Sequence, residues 1–344
     1  MSRAIQNVLP DDLPVRHLSV YVADGFRVTH GVNEGDALTD ASDLLLEDIY
    51  ELDAAAPAAR LSLAMGEDAR DVHLTGESGL GTPGAPVFLD SLVTFMDPDG
   101  ETLEALVLVE VDAPTGTISE VYLHPLGAIH AKTPYTLVTI DTQSARERLA
   151  QSASVSFTRS THITMADGRQ KPIEDLVVGD KVLTRDSGPQ EVRWVGMQTL
   201  RATGAFAPVM IEKGALNNTR ALTVSPNHRL FIYQRFDALG TGKKELLVKA
   251  GLLVNGTSVV QNPGGYVDYV QVLFDKHEII YAEGIASETF FADTTTRPAL
   301  PDAVAKRLGL ARSNTQVTSA RELGEADLSA RRDAVDMLRI ISTI

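Results

Sequence analysis

The sequence predicts an all-β protein with two β domains and a short C-terminal helical tail, and three patterns predict it. Apolar and polar residues alternate in short runs that are separated by turn residues. From residue 155 onward the runs become closely spaced hairpins. Apolar residues at sustained helical spacing are mainly a feature of residues 319–342. We therefore predict domains at residues 1–153 and 154–292, followed by a linker and helix over 293–344.

The first half predicts a small antiparallel β sandwich. Residues 17–32, HLSVYVADGFRVTHGV, alternate around a turn at Asp24-Gly25. Residues 92–111 form two apolar runs that are joined by the turn signal DPDG, and YTLVTIDT at 135–142 adds another strand. The stretch ASDLLLEDIYELD at 41–53 has a helix-like pattern, which predicts one helix among these strands.

The second half predicts a second β domain after a short connecting helix at residues 142–153. Residues 162–186 carry turn signals at Asp167-Gly168 and Gly179-Asp180. Further strand candidates follow in the segments QEVRWVGMQTL, APVMIEKG, ALTVSPNHRLFIY, ELLVKAGLLV and VDYVQVLFDKHEIIYAEGI.

The charge of the chain is unevenly distributed. The 344 residues are 44% hydrophobic and 22% charged, as in ordinary globular proteins, and the net charge is −15. Residues 1–155 carry 25 acids against 8 bases, whereas residues 156–344 carry 21 against 23. An acidic first half repels nucleic acid and anionic membranes, so neither is expected as a partner. A well-solvated acidic surface is the preferred interpretation, and any protein partner of this half is unknown.

Several chemistries are excluded by what the sequence lacks. The absence of cysteine excludes disulfides, thiolate zinc sites and thiol catalysis. The segment GLGTPG at 79–84 has prolines where a nucleotide-binding helix would begin, and KHEII lacks the second histidine of a zinc protease motif. We therefore expect no cofactor and no metal. The sequence also shows no Sec signal and no transmembrane segment, which leaves cytoplasmic and non-classically secreted locations open.

Three separated segments carry residues that are capable of nucleophilic chemistry. The first holds Ser154 and Ser156, the second, SPNH, holds Ser225 and His228, and the third holds His277. A hydroxyl group beside an imidazole can act as a nucleophile if the fold brings the two together. Taken singly, each serine is more often a capping or surface residue, and each histidine is more often structural.

In their order, these segments resemble the Hint (Hedgehog/intein) domain, and specifically the Hint-domain proteins of alphaproteobacteria. The resemblance covers residues 154–292. It is carried by SFTRSTHITMADGRQKPIEDLVVGDKVLTRD, GPQEVRWVG, FAPVMIEKGALNN, LTVSPNHRLFIYQ, LLVKAGLLVNG and VDYVQVLFDKHEIIYAEGIASETFF. Residues 1–150 also look like the segment that accompanies this bacterial subgroup.

The resemblance implies an autoprocessing protein whose substrate is its own N-terminal segment. In the family, the first residue of the domain attacks the carbonyl group before it, and the ester or thioester that forms is then cleaved. The family motif T-x-x-H maps to Ser225 and His228, whose imidazole would polarise the amide and protonate its leaving nitrogen. Ser225 would orient the imidazole or the amide by hydrogen bonding. The late-strand histidine of the family maps to His277.

The sequence departs from the family pattern at two places. The first residue of the family is generally cysteine, and two serines compete for its position here. Ser156 matches the usual spacing to Thr161 and Ile163, whereas Ser154 matches relatives whose cysteine lies two positions earlier. The second departure is at residues 287–289, where Ser-Glu-Thr stands in place of the terminal His-Asn of inteins.

These departures shape the function that we predict. Without an asparagine to cyclise, we predict an N-to-O acyl shift and self-cleavage at the N-terminal junction, without splicing. Serine is a weaker acid than cysteine, so the activity is expected to be slow or disabled. The alternative from another functional class is a catalytically inactive Hint domain that acts as a structural or binding module.

Overall fold

The structure is a computed structural model that describes residues 15–66, 71–154, 156–237, 240–292, 296–300, 304, 320–328 and 334–342. Tertiary contacts divide the chain into two compact units, one of residues 1–151 with 297–299 and one of residues 152–296 with 300–344. Strands account for most of the regular structure in both units, which confirms the all-β fold class. Within the described ranges, no helix has the length and apolar composition needed to cross a bilayer.

The first unit is an antiparallel β domain, as the sequence predicts. Its strands join in the order β2-β3-β9-β6-β7-β8-β1-β4-β5. Strand β1 takes part in two pairings, because Val15–Val20 face β4 whereas Tyr21 and Val22 face β8. The strands are β1 (Val15–Val22), β2 (Phe26–His30), β3 (Ile49–Leu52), β4 (Ala59–Met65), β5 (Val72–Leu74), β6 (Val87–Met96), β7 (Thr102–Val111), β8 (Ile118–Pro125) and β9 (Tyr135–Asp141).

The helix predicted at residues 41–53 is wrong, and the structure has turns there followed by β3. The ring of Tyr50 on β3 stacks on Phe26 with centroids 5.2 Å apart, and Phe95 meets Phe26 edge-on at 5.3 Å. Leu44 is buried, whereas Leu45 and Leu46 are exposed. Burial of Tyr50 in this aromatic cluster therefore outweighs the helical propensity of the leucine run, because tertiary packing overrides a weak local preference.

The second unit begins inside helix α1 (Ala145–Ala153), which confirms the predicted connecting helix. The turns predicted at residues 167–168 and 179–180 are confirmed, since Gly168 and Gly179 adopt φ values of +84° and +94° that favour glycine. Fifteen strands follow α1 in the described ranges, together with helices at residues 325–328 and 334–342. They are β10 (Phe157–Thr158), β11 (His162–Thr164), β12 (Gln170–Pro172), β13 (Lys181–Thr184), β14 (Gly188–Glu191), β15 (Trp194–Arg201), β16 (Val209–Ile211), β17 (Leu222–Val224), β18 (Arg229–Tyr233), β19 (Glu245–Lys249), β20 (Val259–Gln261), β21 (Tyr266–Leu273), β22 (Ile279–Ala282), β23 (Ile285–Glu288), β24 (Arg321–Leu323), α2 (Glu325–Leu328) and α3 (Ala334–Ser342).

These strands form two sheets, and the two-residue strand β10 lies inside one of them. The first sheet has the order β15-β21-β10-β17-β16-β20. The second has nine strands, in the order β12-β11-β22-β23-β18-β19-β24, with β13 pairing with β22 and β14 pairing with β13. In the first sheet Phe157 pairs with Val224 on one side and with Val270 on the other. Phe157 is buried in the apolar core that most of the unit shares. The residue before it, Ser156, is therefore fixed at the start of an interior strand.

The C-terminal tail is only partly helical, which corrects the single helix predicted over residues 319–342. Residues 321–323 form β24, which pairs in parallel with β19, and Gly324 separates this strand from α2. Leu323 and Leu338 are almost fully buried in the same core as Phe157. The linker predicted from residue 293 lies largely outside the described residues.

A leucine-to-alanine change in α3 tests how firmly the tail is packed. We expect Leu338→Ala to lower the free energy of unfolding of the second unit by about 3 kcal/mol, because it removes a fully buried side chain from a packed core. Ile340→Ala on the same helix is the matched control, since Ile340 is 62% exposed, and we expect a change of less than about 0.5 kcal/mol. Urea unfolding followed by the fluorescence of Trp194, the single tryptophan of the chain, measures both variants. Equal effects of the two substitutions would contradict the packing of α3.

Candidate functional site

The hydroxyl group of Ser225 holds the backbone on both sides of residue 155. Ser225 follows β17 and is buried. Its Oγ accepts a hydrogen bond from the amide of Ser156 at 3.2 Å and donates one to the carbonyl oxygen of Ser154 at 3.3 Å. The amide of Ser225 also donates to the carbonyl oxygen of Ser156 at 3.0 Å. Three contacts therefore fix the backbone of Ser154 and Ser156 against the end of β17.

The imidazole of His228 lies against the same backbone. Its Nδ1 is 3.2 Å from the carbonyl oxygen of Ser156, and the proton in this contact belongs to Nδ1 because a carbonyl oxygen can only accept. Nε2 is then the unprotonated nitrogen, and it is buried without a hydrogen-bond partner among the described residues. Phe157 packs edge-on against the imidazole with ring centroids 4.4 Å apart, which holds the ring in place.

Burial keeps His228 neutral at physiological pH. The side chain is fully buried, and loss of hydration lowers its pKa to about 4 from the usual 6.5. The negative charge of Glu288 and the hydrogen bond to Ser156 oppose this shift without cancelling it. At pH 7 the imidazole is therefore an unprotonated base with one available lone pair, on Nε2.

Two further side chains at this site were missed by sequence reasoning. Gln271 on β21 donates from Nε2 to the Oγ of Ser156 at 3.1 Å, and Asn227 donates from Nδ2 to the carbonyl oxygen of Ser152 at 2.5 Å. Gln271 is a polar residue inside an apolar strand segment, YVQVLF, which was the available signal. Asn227 stands within the SPNH motif, but its contact requires the fold to bring residue 152 close.

His277 occupies a different environment. It is 1% exposed, and its Nε2 lies 2.8 Å from Oε1 of Glu288, which is the last residue of β23. The ring of Phe291 lies 5.0 Å from the imidazole centroid. Glu288 also binds Arg229 through two contacts, one of them at 2.7 Å. Sequence reasoning missed Glu288 and Arg229, although a carboxylate in the apolar run EGIASETFF was a visible signal.

Glu288 is ionised despite complete burial. Loss of hydration acts to raise its pKa, but the contact with His277 and the charge of Arg229 together outweigh this effect and lower the pKa below its usual range. The ionised carboxylate lies 2.8 Å from Nε2 of His277, but this contact does not have the geometry of a hydrogen bond.

The structure thus brings four of the five residues predicted for the site into direct contact, namely Ser154, Ser156, Ser225 and His228. His277 contacts Glu288 and Phe291 instead. Glu288 acts on the pKa of His228, which relates the two histidines electrostatically. The carbonyl group before Ser156 belongs to Val155, which lies outside the described residues. Within the described ranges, no group of three or more His, Asp or Glu side chains is arranged to hold a metal ion.

Comparison with known proteins identifies the domain that contains this site. Residues 155–294 match a family model described as "Hint domain". No curated protein matches the chain. Similar solved structures include a variant of the Ssp DnaB mini-intein, at 11% identity and a TM-score of 0.26, which covers 41% of this chain and 97% of that one. Another is the gp41-1 intein, at 14% identity and a TM-score of 0.24, which covers 39% of this chain and 97% of that one. These TM-scores are too low for residue-by-residue comparison.

The lowered pKa of His228 predicts a pH dependence of stability. The unfolded chain binds a proton at this histidine below about pH 6.5, whereas the folded chain does so only below about pH 4. The contribution of His228 to the free energy of unfolding is therefore fully present above about pH 6.5. It is lost as the pH drops, by up to about 3 kcal/mol at pH 4. His228→Asn keeps a donor for the carbonyl of Ser156 and cannot titrate in this range. We expect the native chain to lose more unfolding free energy than this variant between pH 7 and pH 4.5. The difference in stability between the two chains therefore shrinks or reverses over this range.

Urea unfolding followed by the fluorescence of Trp194 at several pH values measures this difference. Carboxylates other than Glu288, whose charge acts on His228, contribute equally to both chains and cancel in the subtraction. Parallel pH profiles of the two chains would contradict a buried, neutral His228.

Proposed function

We propose that the chain, which carries a Hint domain with an autoprocessing-type fold, cleaves itself at the peptide bond between Val155 and Ser156. The observation that carries the proposal is a pair of hydrogen bonds on the two sides of residue 155: Ser225 Oγ accepts from the amide of Ser156 and donates to the carbonyl oxygen of Ser154. Cleavage of a peptide bond by a side chain of the same protein requires the reacting groups to be held close together and aligned. Hydrogen bonds on both sides of residue 155 would hold the backbone in this way.

Ser156 is the proposed nucleophile, and Ser154 is the competing candidate. The amide nitrogen of Ser156, which is the leaving group of the proposed cleavage, lies 3.2 Å from Ser225 Oγ. The hydroxyl of Ser156 accepts a hydrogen bond from Gln271, so its own proton is available for transfer. Ser154 contributes its carbonyl oxygen to the network through Ser225. This arrangement supports Ser156 as the attacking residue.

The proposed reaction has two steps. In the first, the hydroxyl oxygen of Ser156 attacks the carbonyl carbon of Val155, the bond from that carbon to nitrogen breaks, and the hydroxyl proton ends on the released amine of Ser156. The product is an ester between Val155 and the side chain of Ser156. In the second step, water attacks the ester carbonyl, which releases the N-terminal segment with a free carboxylate and restores the serine hydroxyl.

Ser225 and His228 have complementary roles in the first step. As the amide nitrogen becomes tetrahedral it gains a lone pair, and Ser225, already within hydrogen-bond distance, can then donate a hydrogen bond to it while the nitrogen takes up the proton of the Ser156 hydroxyl. Neutral His228 has an unprotonated Nε2 and is the base that we propose for transfer of the hydroxyl proton of Ser156. Its Nδ1–H bond to the carbonyl of Ser156 keeps that residue aligned.

Two features of the chain define the limits of the proposed activity. The Ser-Glu-Thr segment at 287–289 provides no asparagine to cyclise, so we propose cleavage without splicing. A serine hydroxyl is much less acidic than a thiol, so the acyl shift is slower than it would be with cysteine. The second candidate function is an inactive Hint domain that serves as a structural or binding module, and the substitution of serine for cysteine is the observation that favours it.

Restoring a thiol at the proposed nucleophile tests the function. We expect the purified S156C chain to release a fragment that ends at Val155 when dithiothreitol or hydroxylamine is added, because a thioester forms more readily and is cleaved by both reagents. The matched control is S154C, which places the same thiol two residues earlier and should stay intact. Mass spectrometry of the fragments gives both the rate and the cleaved bond.

The native chain, incubated with hydroxylamine alone, should release the same fragment more slowly. A fragment ending at Ala153 from S154C would instead assign the nucleophile to position 154. If neither variant is cleaved, the proposal is contradicted and the inactive module is the remaining function.

Substitutions at Ser225 test its role at the leaving nitrogen. In the S156C background we expect Ser225→Ala to slow fragment release by about 100-fold, because no other described side chain donates to or accepts from this amide. Ser225→Thr keeps the hydroxyl and is the control, with an expected rate within a few-fold of the parent. The measurement is the time course of fragment release by mass spectrometry. Equal rates for the alanine and threonine variants would show that the hydroxyl is not required.

A further inference from the structure

The residues just upstream of the proposed cleavage point belong to the second unit. This unit begins at Ser152, before the bond that is proposed to be cleaved. Ser152 and Ser154 are buried, at 4% and 2% exposure, whereas Ala153 between them is only half-buried. The end of the segment to be released is therefore held by the same unit that would release it.

Asn227 binds a carbonyl group at the end of helix α1. Its Nδ2 donates to the carbonyl oxygen of Ser152 at 2.5 Å. Ser152 is the last residue but one of α1, and the last four carbonyl groups of a helix have no partner within the helix itself. Ser225, two residues before Asn227, donates to the carbonyl oxygen of Ser154 at 3.3 Å. The SPNH motif therefore binds alternate backbone carbonyl groups of the segment to be released.

The turn that carries Asn227 is fixed by backbone hydrogen bonds. The amide of His228 donates to the carbonyl oxygen of Ser225 at 3.0 Å, which closes the turn. The amide of Gly251 donates to the carbonyl oxygen of Pro226 at 2.8 Å, and a Cβ atom at Gly251 would lie only 3.1 Å from that oxygen. Both neighbours of Asn227 are thus anchored, so its side chain reaches the end of α1 from a fixed backbone.

We propose that the site recognises the segment that it releases by backbone and by size: Asn227 and Ser225 bind the carbonyl groups of residues 152 and 154, and only small side chains fit at those two positions. This inference rests on the proposed function and adds the sequence requirement of its substrate. Neither contact involves a side chain of the released segment. The size limit follows from burial, because a larger side chain at either position would overpack a closed interior.

Recognition of the backbone on this side of the bond has a consequence for the reaction. The contacts to residues 152 and 154 restrain the chain that leads into the cleavage point, and Ser225 restrains the amide of Ser156 on the other side. The attacking hydroxyl and the carbonyl group must be aligned, and a misplacement of about 1 Å can slow a reaction by about 100-fold. Asn227 contacts none of the reacting atoms, so it is a positioning residue.

Removal of the donor of Asn227 tests its role in the S156C background. We expect Asn227→Asp to slow fragment release by roughly tenfold, because aspartate has the same shape but cannot donate to a carbonyl oxygen. Asn227→Gln keeps the amide donor and should release the fragment faster than the aspartate variant. The matched control is Asn33→Asp in the first unit, where Nδ2 of Asn33 also donates to a backbone carbonyl, that of Asp43 at 3.0 Å. We expect its rate to lie within about twofold of the parent.

Substitutions in the released segment test the size limit in the same background. We expect Ser154→Leu and Ser152→Leu each to slow fragment release by at least about tenfold, because leucine overpacks a buried position that holds serine. Ser154→Ala and Ser152→Ala keep the side chains small and should cleave faster than the leucine variants. The matched control is Ala153→Leu, which enlarges the half-buried position between the two and should stay within a few-fold of the parent.

Thermal unfolding followed by the fluorescence of Trp194 identifies variants that do not fold. If a leucine variant does not fold, Ser154→Thr or Ser152→Thr decides the question, because threonine adds only one methyl group to serine. Each threonine variant should then cleave more slowly than the alanine variant at the same position.

A measurement on the native chain does not depend on cleavage. Hydrogen exchange followed by mass spectrometry reports how often the end of α1 opens. We expect Asn227→Asp to speed amide exchange over residues 145–156 by about fivefold, which corresponds to the loss of one hydrogen bond. Asn33→Asp should leave exchange in this segment unchanged.

The outcomes separate the two proposals. An S156C chain that is not cleaved contradicts the proposed function, and hydrogen exchange then still decides whether Asn227 holds the end of α1. Cleavage of the S156C chain at the same rate with and without Asn227→Asp overturns the positioning role, and so does hydrogen exchange that this substitution leaves unchanged. Leucine variants that are as fast as Ala153→Leu, or alanine variants that are as slow as the leucine variants, overturn the size limit.

Discussion

The site depends on one constraint, which is that the hydroxyl of Ser225 bonds the backbone on both sides of residue 155. This is possible because β10 has only two residues and lies between β17 and β21, so the chain that enters it is held at the end of β17. Ser225 is the first residue after β17 and therefore faces the amide of Ser156. His228 follows one turn later, with its amide bonded to the carbonyl of Ser225 at 3.0 Å. Strand β10, the turn after β17 and the SPNH motif therefore act together to hold the backbone of Ser154 and Ser156.

Burial gives the two histidines of this unit different electrostatic settings. His228 has aromatic and backbone neighbours and stays neutral, because the loss of hydration outweighs the opposing effects of Glu288 and of the hydrogen bond to Ser156. His277 lies against an ionised carboxylate whose own charge is compensated by Arg229. Both histidines are buried, where charges interact more strongly than in water, so each imidazole is influenced mainly by the groups that lie next to it.

Much of this could be predicted from the sequence, and the failures have physical reasons. Turn glycines and alternating strands are local signals, so the hairpins at residues 162–184 and 87–111 were predictable. The helix expected at 41–53 failed because Tyr50 is buried in an aromatic cluster formed by distant residues. The strand at 321–323 was missed for the same kind of reason, since its partner β19 lies more than 70 residues earlier. Gln271 and Glu288 could be flagged only as polar residues in apolar runs, because their contacts depend on register between strands.

The contacts of Ser225 also bear on why a serine at position 156 is compatible with this site. In the intact chain the amide N–H donates to Ser225, an interaction that stabilises the starting peptide and does not by itself accelerate its cleavage. Acceleration requires that the same hydroxyl interact more strongly with the tetrahedral nitrogen, which has a lone pair, than with the planar amide. An amine nitrogen is a good hydrogen-bond acceptor and an amide nitrogen is not. A hydrogen bond donated by Ser225 to the nitrogen therefore stabilises the state in which the peptide bond is broken. That gain is independent of whether oxygen or sulfur attacks. The exchange of cysteine for serine therefore weakens the nucleophile while it leaves the stabilisation of the leaving group intact.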